Sequence, residues 1–315
     1  MKSEAKNHKK RPINRFLKSC RTKLRHLSYA RRSIYTEEQS NAAITHFIQT
    51  GTAAAIGKVG SVECNAIYDY LKKDRSTSLK GADWGRHGFK LYNNAGVFPD
   101  TPDMYYKFCQ AYEATLPDMD LLGIWFIKGE SKVIKECCAK AQLMTLNALS
   151  PPFTSKTGTP WTKSLEGKNV LIIHPFTETI KSQYLKRESI WPQTPDTLPE
   201  FTLRTLKTPM AASIAPSPYQ DWEKGLEALK SQMDEITYDV VLVGAGAWSL
   251  PLVAHAKARG KVGIHTGGAT QIFFGIKGHR WEKSEAPEYY NEAWVRPNRE
   301  ETPESAHILE KACYW

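Results

Sequence analysis

The chain has 315 residues, 41% of them hydrophobic, enough for a packed core and against wholesale disorder. Its net charge of +10 sits at one end: residues 1–32 hold twelve Lys and Arg against one Glu, and the remainder is nearly neutral. This distribution argues against a nucleic-acid-binding fold with a basic face, and no apolar run approaches the roughly 18 residues of a membrane span.

Residues 1–35 read as a basic tail in which Phe16, Leu17, Leu24 and Leu27 are set among cations. That composition suits either an anionic membrane surface or a solvated arm. The basic start is not followed by an apolar h-region, so no secretory leader is expected. A helix is predicted over Thr36–Ile48, with Thr36 as N-cap and Glu37 and Glu38 in the first turn. Ala53–Val59 reads as a buried strand ending at Gly60-Ser61-Val62-Glu63, followed by a helix through Ile67, Tyr70 and Leu71. Ser76–Asp100, rich in Gly, Asn and Asp, reads as a long functional loop. Pro102 opens a helix to about Leu116, Leu121–Ile127 is a strand, and Ser131–Leu149 is a helix.

Pro151–Gly158 carries Pro, Ser, Thr and Gly, and marks a seam at 150–160. Asn169–Ile173 is the clearest strand, ending at His174-Pro175, and the helix behind it carries Phe176, Glu178, Ile180 and Tyr184. Phe201–Leu206 is a further strand. A proline-bearing loop from 209 to 218 leads to a helix over Asp221–Ile236. Then come an apolar run over Asp239–Val243, the turn Gly244-Ala245-Gly246, an amphipathic stretch with Leu250 and Val253, and a second run over Val262–Ile264. The second run ends at His265, Gly267 and Gly268. This is strand, turn, helix, strand, one βαβ unit. The polar and aromatic end, 287–315, is predicted as an extension with one helix over Pro303–Ala312. The whole predicts an α/β fold: a mostly parallel, Rossmann-like sheet with helices on both faces, as a body over 36–286. The six cysteines, at 20, 64, 109, 137, 138 and 313, lack metal-ligand spacing and are expected to be reduced cytosolic thiols.

Ligands of open α/β sheets bind at the carboxyl ends of the strands, so chemistry is sought there. Gly244 and Gly246 lack the third glycine and the acidic residue of a dinucleotide fingerprint, since 249 is Ser249 and the next strand ends in His265. Glycine turns at helix starts still suit phosphate, and they equally suit close strand–helix packing. Two such turns, at 244–246 and 267–268, would cradle a diphosphate between them. Glu63 reads as a metal-binding carboxylate, a general base, or a partner of its helix dipole. His174 and Glu178 form an acid/base candidate pair; each also has a capping role open to it. His265 suits phosphate or the acceptor hydroxyl, and Asn93, Asn94 and Gln271 suit sugar hydroxyls. Lys277, His279 and Arg280, in GIKGHRW, suit phosphate. Trp248 and Trp281 read as stacking or core residues.

The segments GKVGSVECNAI, YNNAGVFP, VLIIHPFTETIKSQY, DVVLVGAGAWSLPLVAHAKARGK and IHTGGATQIFFGIKGHRW resemble proteins encoded among bacterial polysaccharide genes. Their layout is similar to that of GT-D type glycosyltransferases, over about residues 36–285. That class has a strand followed by Arg-Phe-Gly-Asp-Gly-Glu, whose Asp-x-Glu works with a divalent metal and a nucleotide sugar. Here the matching stretch is Lys58-Val59-Gly60-Ser61-Val62-Glu63, so Glu63 keeps the second carboxylate and Ser61 replaces the first. The resemblance implies a cytoplasmic glycosyltransferase at the inner membrane face, moving a sugar from a nucleotide donor to a glycan or lipid-linked acceptor. On that reading the residues singled out above take catalytic roles at Glu63, His174 and Glu178, and donor-binding roles at Gly60, Ser61, Asn94, Gly244, Gly246, His265, Gly267, Gly268, Gln271, Lys277 and Arg280. Mn²⁺ or Mg²⁺ on Glu63 would be the cofactor. A sugar phosphoryl or nucleotidyl transferase, or a non-catalytic scaffold of polysaccharide assembly, are the competing readings. Partners are the donor, the acceptor and an anionic membrane surface reached through residues 1–32, with no nucleic acid.

Overall fold

Runs such as Val170–Ile173 and Val240–Val243 are apolar at every position, which only the interior strands of a sheet covered on both faces tolerate. The computed structural model describes residues 27–29, 31–73, 75, 87–150 and 158–315. Its strands are β1 (Ile34–Tyr35), β2 (Ala54–Lys58), β3 (Leu121–Ile124), β4 (Gln142–Thr145), β5 (Asn169–His174), β6 (Thr202–Lys207), β7 (Val240–Val243) and β8 (Val262–His265). They form one sheet in the order β1-β4-β3-β2-β8-β7-β5-β6, with every neighbouring pair parallel. The expected α/β class is the observed one.

Period-2 alternation divides each strand between two cores. Leu171, Ile173, Val241 and Val243 face one side. There they meet α2 (Ser61–Lys72), α3 (Pro102–Thr115), α4 (Glu130–Cys137), α7 (Trp222–Asp234) and α8 (Ser249–Ala258) through residues such as Ile67, Phe108, Ile134, Leu229 and Val253. Val170, Ile172, Val240 and Leu242 face the other side. Their partners come from α1 (Glu37–Thr50), α5 (Thr177–Tyr184), α6 (Arg187–Ile190) and α9 (Ala269–Phe273), through Ile44, Ile180, Ile190 and Phe273. The central helix α8 approaches the sheet closely because β2 and β8 carry glycine beneath it. A Cβ on Gly263 would stand 2.7 Å from the Val253 carbonyl, and one on Gly57 would stand 2.9 Å from Leu250.

Local chemistry sets several boundaries. Thr36 and Gln39 form a reciprocal capping box at α1. The strand expected over 121–127 stops at Ile124, because the buried Glu130 carboxylate takes the next amides, Trp125 N and Ile127 N, and also the Tyr29 hydroxyl. The helix expected over 131–149 is divided. After α4, Cys138 leaves helical geometry, Gln142–Thr145 pairs with β3 and β1, and Leu146–Leu149 forms a 3₁₀ turn. Helical propensity in this stretch yields to an open slot at the sheet edge. Strand β1 lies inside the stretch read as tail, and Tyr29 beside it is buried. Residues 1–26 and 151–157, with most of the expected tail and seam, lie outside the described residues. Both sides of the seam join one sheet through β2 and β8.

Residues 287–315 fold back onto the body. Lys277 N bonds to the Val295 carbonyl, His279 N to that of Trp315 and Arg280 N to that of Cys313. The expected helix over 303–312 is a 3₁₀ turn, Glu304–Ile308, followed by left-handed Glu310, Lys311 and Ala312. Buried Ala306, Leu309, Cys313 and Trp315 anchor this irregular path. The five described cysteines are free and buried. No described helix is long and apolar enough to cross a membrane.

Glu301 is the main tie between this segment and the body. It is fully buried, and its carboxylate accepts from Glu178 N (2.8 Å), Thr179 N (3.0 Å) and the Thr179 hydroxyl, capping α5 from across the fold. Glu301→Ala leaves three buried donors unmet. We expect it to destabilise the protein by about 2–3 kcal/mol, read as a lowered midpoint in denaturant unfolding. Glu301→Gln, which keeps acceptor oxygen at the cap, should lose less.

Candidate functional site

All eight strands point the same way, so their carboxyl ends share one edge, and a cavity of about 420 Å³ opens there. Most of its lining comes from residues that follow a strand, and the rest from the turn at 91–96 and from the C-terminal segment.

From β2 come Lys58 and then the first turn of α2. The Lys58 ammonium donates to the Thr266 carbonyl (3.2 Å) and lies 5.8 Å from the centre of the Trp125 ring. Burial and the nearby Arg280 push it down to about 8, while Glu63 acts the other way. Helix α2 starts at Gly60, which has no side chain to cap it, and Ser61, Val62 and Glu63 of its first turn border the cavity. The Glu63 carboxylate folds back against Gly60. Burial raises its affinity for a proton; its own amide acts in the opposite sense, Glu310 adds to the rise, and Lys58 opposes it.

From β8 come His265, Gly267 and Gly268. His265 Nδ1 lies 3.0 Å from the Lys58 carbonyl oxygen. A carbonyl only accepts, so Nδ1 carries the proton and Nε2 keeps its lone pair. The Arg280 guanidinium lies over Gly268, 4.7 Å from the Tyr314 ring centre and 5.4 Å from that of Trp281. From β5 comes His174, of opposite tautomer: its Nδ1 accepts from Phe176 N (3.0 Å), so Nε2 carries the proton. Burial holds both imidazoles neutral, down to about 3, and Lys58 adds to the effect at His265. His174 therefore offers the cavity a donor and no lone pair, which removes it from the general-base role expected of it.

The glycine turns serve packing more than anion binding. Gly244 N and Gly267 N are spent on the Ile173 and Val243 carbonyls, and Ala245 N on the Ser249 hydroxyl. A Cβ on Gly246, which has φ +54, would stand 2.6 Å from the Ala95 carbonyl. Close contact with the π-helical turn Leu91–Ala95 thus requires glycine there. Gly268 N remains uncommitted among the described residues.

Of the residues singled out from sequence, Gly60, Ser61, Glu63, Asn94, His174, Gly244, Gly246, His265, Gly267, Gly268 and Arg280 line the cavity, as do Trp248 and Trp281. Glu178, Gln271, Lys277, Asn93 and His279 are not in that lining. Glu178 is exposed and paired with Lys181 (2.8 Å), whose hydrogen bond lowers its carboxyl. The α5 terminus behind it is already occupied by Glu301. Lys277 lies over the Tyr290 ring, 5.3 Å from its centre. Gln271 is fully buried, and its Nε2 holds the Tyr314 carbonyl (2.7 Å). Asn93 bonds to Asn94, and Asn94 Nδ2 donates to Glu310 (2.9 Å).

Sequence reasoning did not single out Lys58, Trp125, Glu310, Tyr314 and Trp315, all in the lining. A lysine ending an otherwise apolar strand was a usable signal for the first. The aromatic pair at 314–315 had none, because long-range packing alone brings it there. With Phe176, Ile214 and Leu309, Trp315 forms a third, small apolar cluster that walls the β5–β6 end of the cavity.

No family model matches the chain, and no curated protein does. Among solved structures it is similar to a selenomethionine-substituted structure of a domain of unknown function, DUF1792. The two share 13% identity over 88% of this chain and 94% of that one, with a TM-score of 0.46. At that level of similarity nothing about function passes from that structure to this chain.

The neutral imidazoles make the site pH-sensitive. An unfolded histidine titrates near 6.5, whereas His174 and His265 stay uncharged in the fold until about pH 3. The unfolded state thus binds more protons below pH 6.5, so this contribution is complete above 6.5 and is lost as pH falls. The raised carboxyls of Glu63 and Glu130 act in the opposite sense, so a difference isolates the effect. Between pH 6.5 and 4.5, wild type should lose about 2–3 kcal/mol more stability than His174→Gln. Parallel denaturant titrations with equal pH slopes would refute this.

Proposed function

We propose that this protein is a glycosyltransferase that takes a nucleotide-sugar donor in the cavity at the carboxyl edge of its sheet. One observation carries the reading: Lys58 and Arg280 border the same cavity, and among the described residues neither has a carboxylate within ion-pairing distance. Arg280 makes Lys58 costlier to charge, and a diphosphate between them would relieve that cost. The amide of Gly268, uncommitted among the described residues, adds a donor. The apolar wall of Phe176, Met210, Ile214 and Trp315 suits a planar base. Asn147, Ser150 and Trp125, at the opposite end, suit sugar or acceptor hydroxyls. The sequence resemblance over residues 36–285 supports the same reading.

The residues do not fit a protein-built metal centre. Ser61 stands where the resemblance places a carboxylate, and no group of three or more His, Cys, Asp and Glu among the described residues could hold an ion. In this reading Lys58 and Arg280 take up the charge of the leaving diphosphate. Glu63, bonded to its own amide at the start of α2, favours the charged form of Lys58.

A panel of nucleotide sugars tests the activity. Release of nucleoside diphosphate supports glycosyl transfer. Release of pyrophosphate or nucleoside monophosphate supports a nucleotidyl or phosphoryl transferase, and inertness toward all donors supports a scaffold. By calorimetry, Arg280→Ala and Lys58→Met should each weaken UDP by about 1.5–3 kcal/mol, the worth of a charge-assisted bond. Unchanged affinity in both would remove the diphosphate from this cavity. Glu63→Gln should abolish turnover while leaving the melting temperature almost unchanged, since it conserves shape at a buried site.

The same reading places the protein at the cytoplasmic face of a membrane that carries its acceptor. Residues 1–26 hold ten Lys and Arg and one Glu. Deleting them spares Tyr29 and β1, so the body should fold. Binding to vesicles rich in anionic lipid should fall sharply, at about 1 kcal/mol per cation near the surface. Equal binding with and without them would end the membrane role.

A further inference from the structure

The two imidazoles at the cavity are not equivalent. His174 has spent its lone pair on Phe176 N and shows the cavity an N–H. His265 has spent its N–H on the Lys58 carbonyl and shows a lone pair. That lone pair faces Gly267, where an added Cβ would stand 3.2 Å from His265 Nε2 and 3.5 Å from Lys58 Nζ. The basic nitrogen and the ammonium thus converge on one point. Glu63, the other candidate acceptor, folds back on Gly60 and its own amide.

We propose that His265 is the general base of the transfer, receiving on Nε2 the proton of the attacking hydroxyl; this rests on the glycosyltransferase reading. The step balances as follows. The acceptor oxygen forms a bond to the anomeric carbon, and its proton passes to His265 Nε2. The bond from that carbon to the diphosphate breaks, and its electron pair leaves with the diphosphate beside Lys58 and Arg280. The resulting imidazolium is held through Nδ1–H by the Lys58 carbonyl.

The lysine that fixes the tautomer also opposes the charge that this step creates. Lys58 on β2 acts directly on His265. The cavity further brings Glu63 from α2, Arg280 from the turn after α9, Glu310 and Tyr314 from the C-terminal segment, and His174 from β5. A diphosphate lying between Lys58 and Arg280 offsets their repulsion. His265 is then a poor proton acceptor in the free protein and a competent one beside a bound donor, so proton removal waits for the leaving group.

Nitrogen-15 spectra of the histidines in the full chain test this, with assignments from His265→Gln and His174→Gln. In the unaltered protein at neutral pH, His265 should show protonated Nδ1 and bare Nε2, and His174 the reverse. Saturating UDP should raise the protonation midpoint of His265 by about 1–3 pH units, with that of His174 unmoved. For a nucleotide sugar that wild type turns over, His265→Gln should lower kcat about 10²–10⁴-fold with little change in KM. A protonated Nε2 on neutral His265, a midpoint indifferent to UDP, or kcat within threefold of wild type overturns the assignment. If no nucleotide binds, the glycosyltransferase reading fails and the base role with it. If nucleotide binds and turns over while the tautomers are reversed, only the base role fails.

Discussion

The pairing of β2 with β8 is the constraint on which the rest depends. It joins the two sequence halves at the centre of the sheet, in the register Ala54↔Val262, Ala55↔Gly263 and Ile56↔Ile264. That register brings Lys58 beside His265 and Thr266 where both strands emerge. The Lys58 carbonyl then fixes one tautomer, and the Lys58 ammonium is held by the Thr266 carbonyl. A one-residue slip would send each side chain of β2 to the opposite face and take the lysine away from the edge. Glycine at 57 and 263 lets α8 press on this pair, so packing and register enforce each other.

Negative charge is distributed with equal economy. Among the helices that start at the cavity edge are α2 after β2 and α5 after β5, and either could attract an anion. Glu301 occupies the start of α5, and the Glu63 carboxylate, bonded to its own amide and folded against Gly60, occupies the start of α2. The cavity is polarised across its width, with Lys58, Arg280 and the amide of Gly268 near β2 and β8 and an apolar wall near β5 and β6.

The interior strands were legible because an unbroken aliphatic run ending in glycine has few other uses. The first helix was legible from Thr36 and its acidic first turn. Strand β4 was hidden, since Gln142-Leu-Met-Thr has no strand-specific residue pattern and follows a good helix without a Gly or Pro stop. Strand ends led to Glu63, His174 and His265, which line one cavity because all-parallel topology puts every such end on one edge. Glu178 and Lys277 stood close to these in sequence but turn away, toward Lys181 and Tyr290; nearness along the chain does not fix which way a side chain faces. The tautomers were beyond reach of sequence altogether, because each depends on a single backbone group placed by tertiary structure.

The strand pair and the C-terminal wall differ in how they can open. Amides of Val262–His265 lie in ladders on both sides at the middle of the sheet, and no local motion frees them without separating the two halves. Their hydrogen exchange therefore reports global unfolding, and the Lys58–His265 contact persists as long as the fold does. Residues 304–315 sit in 3₁₀ and left-handed turns outside any strand, held by scattered bonds and a small apolar cluster. They belong to the low-stability end of the same molecule. The cavity thus has a floor at Lys58 and His265 fixed by the central ladder, while Arg280, bonded to Cys313 and packed on Tyr314, moves with the C-terminal wall.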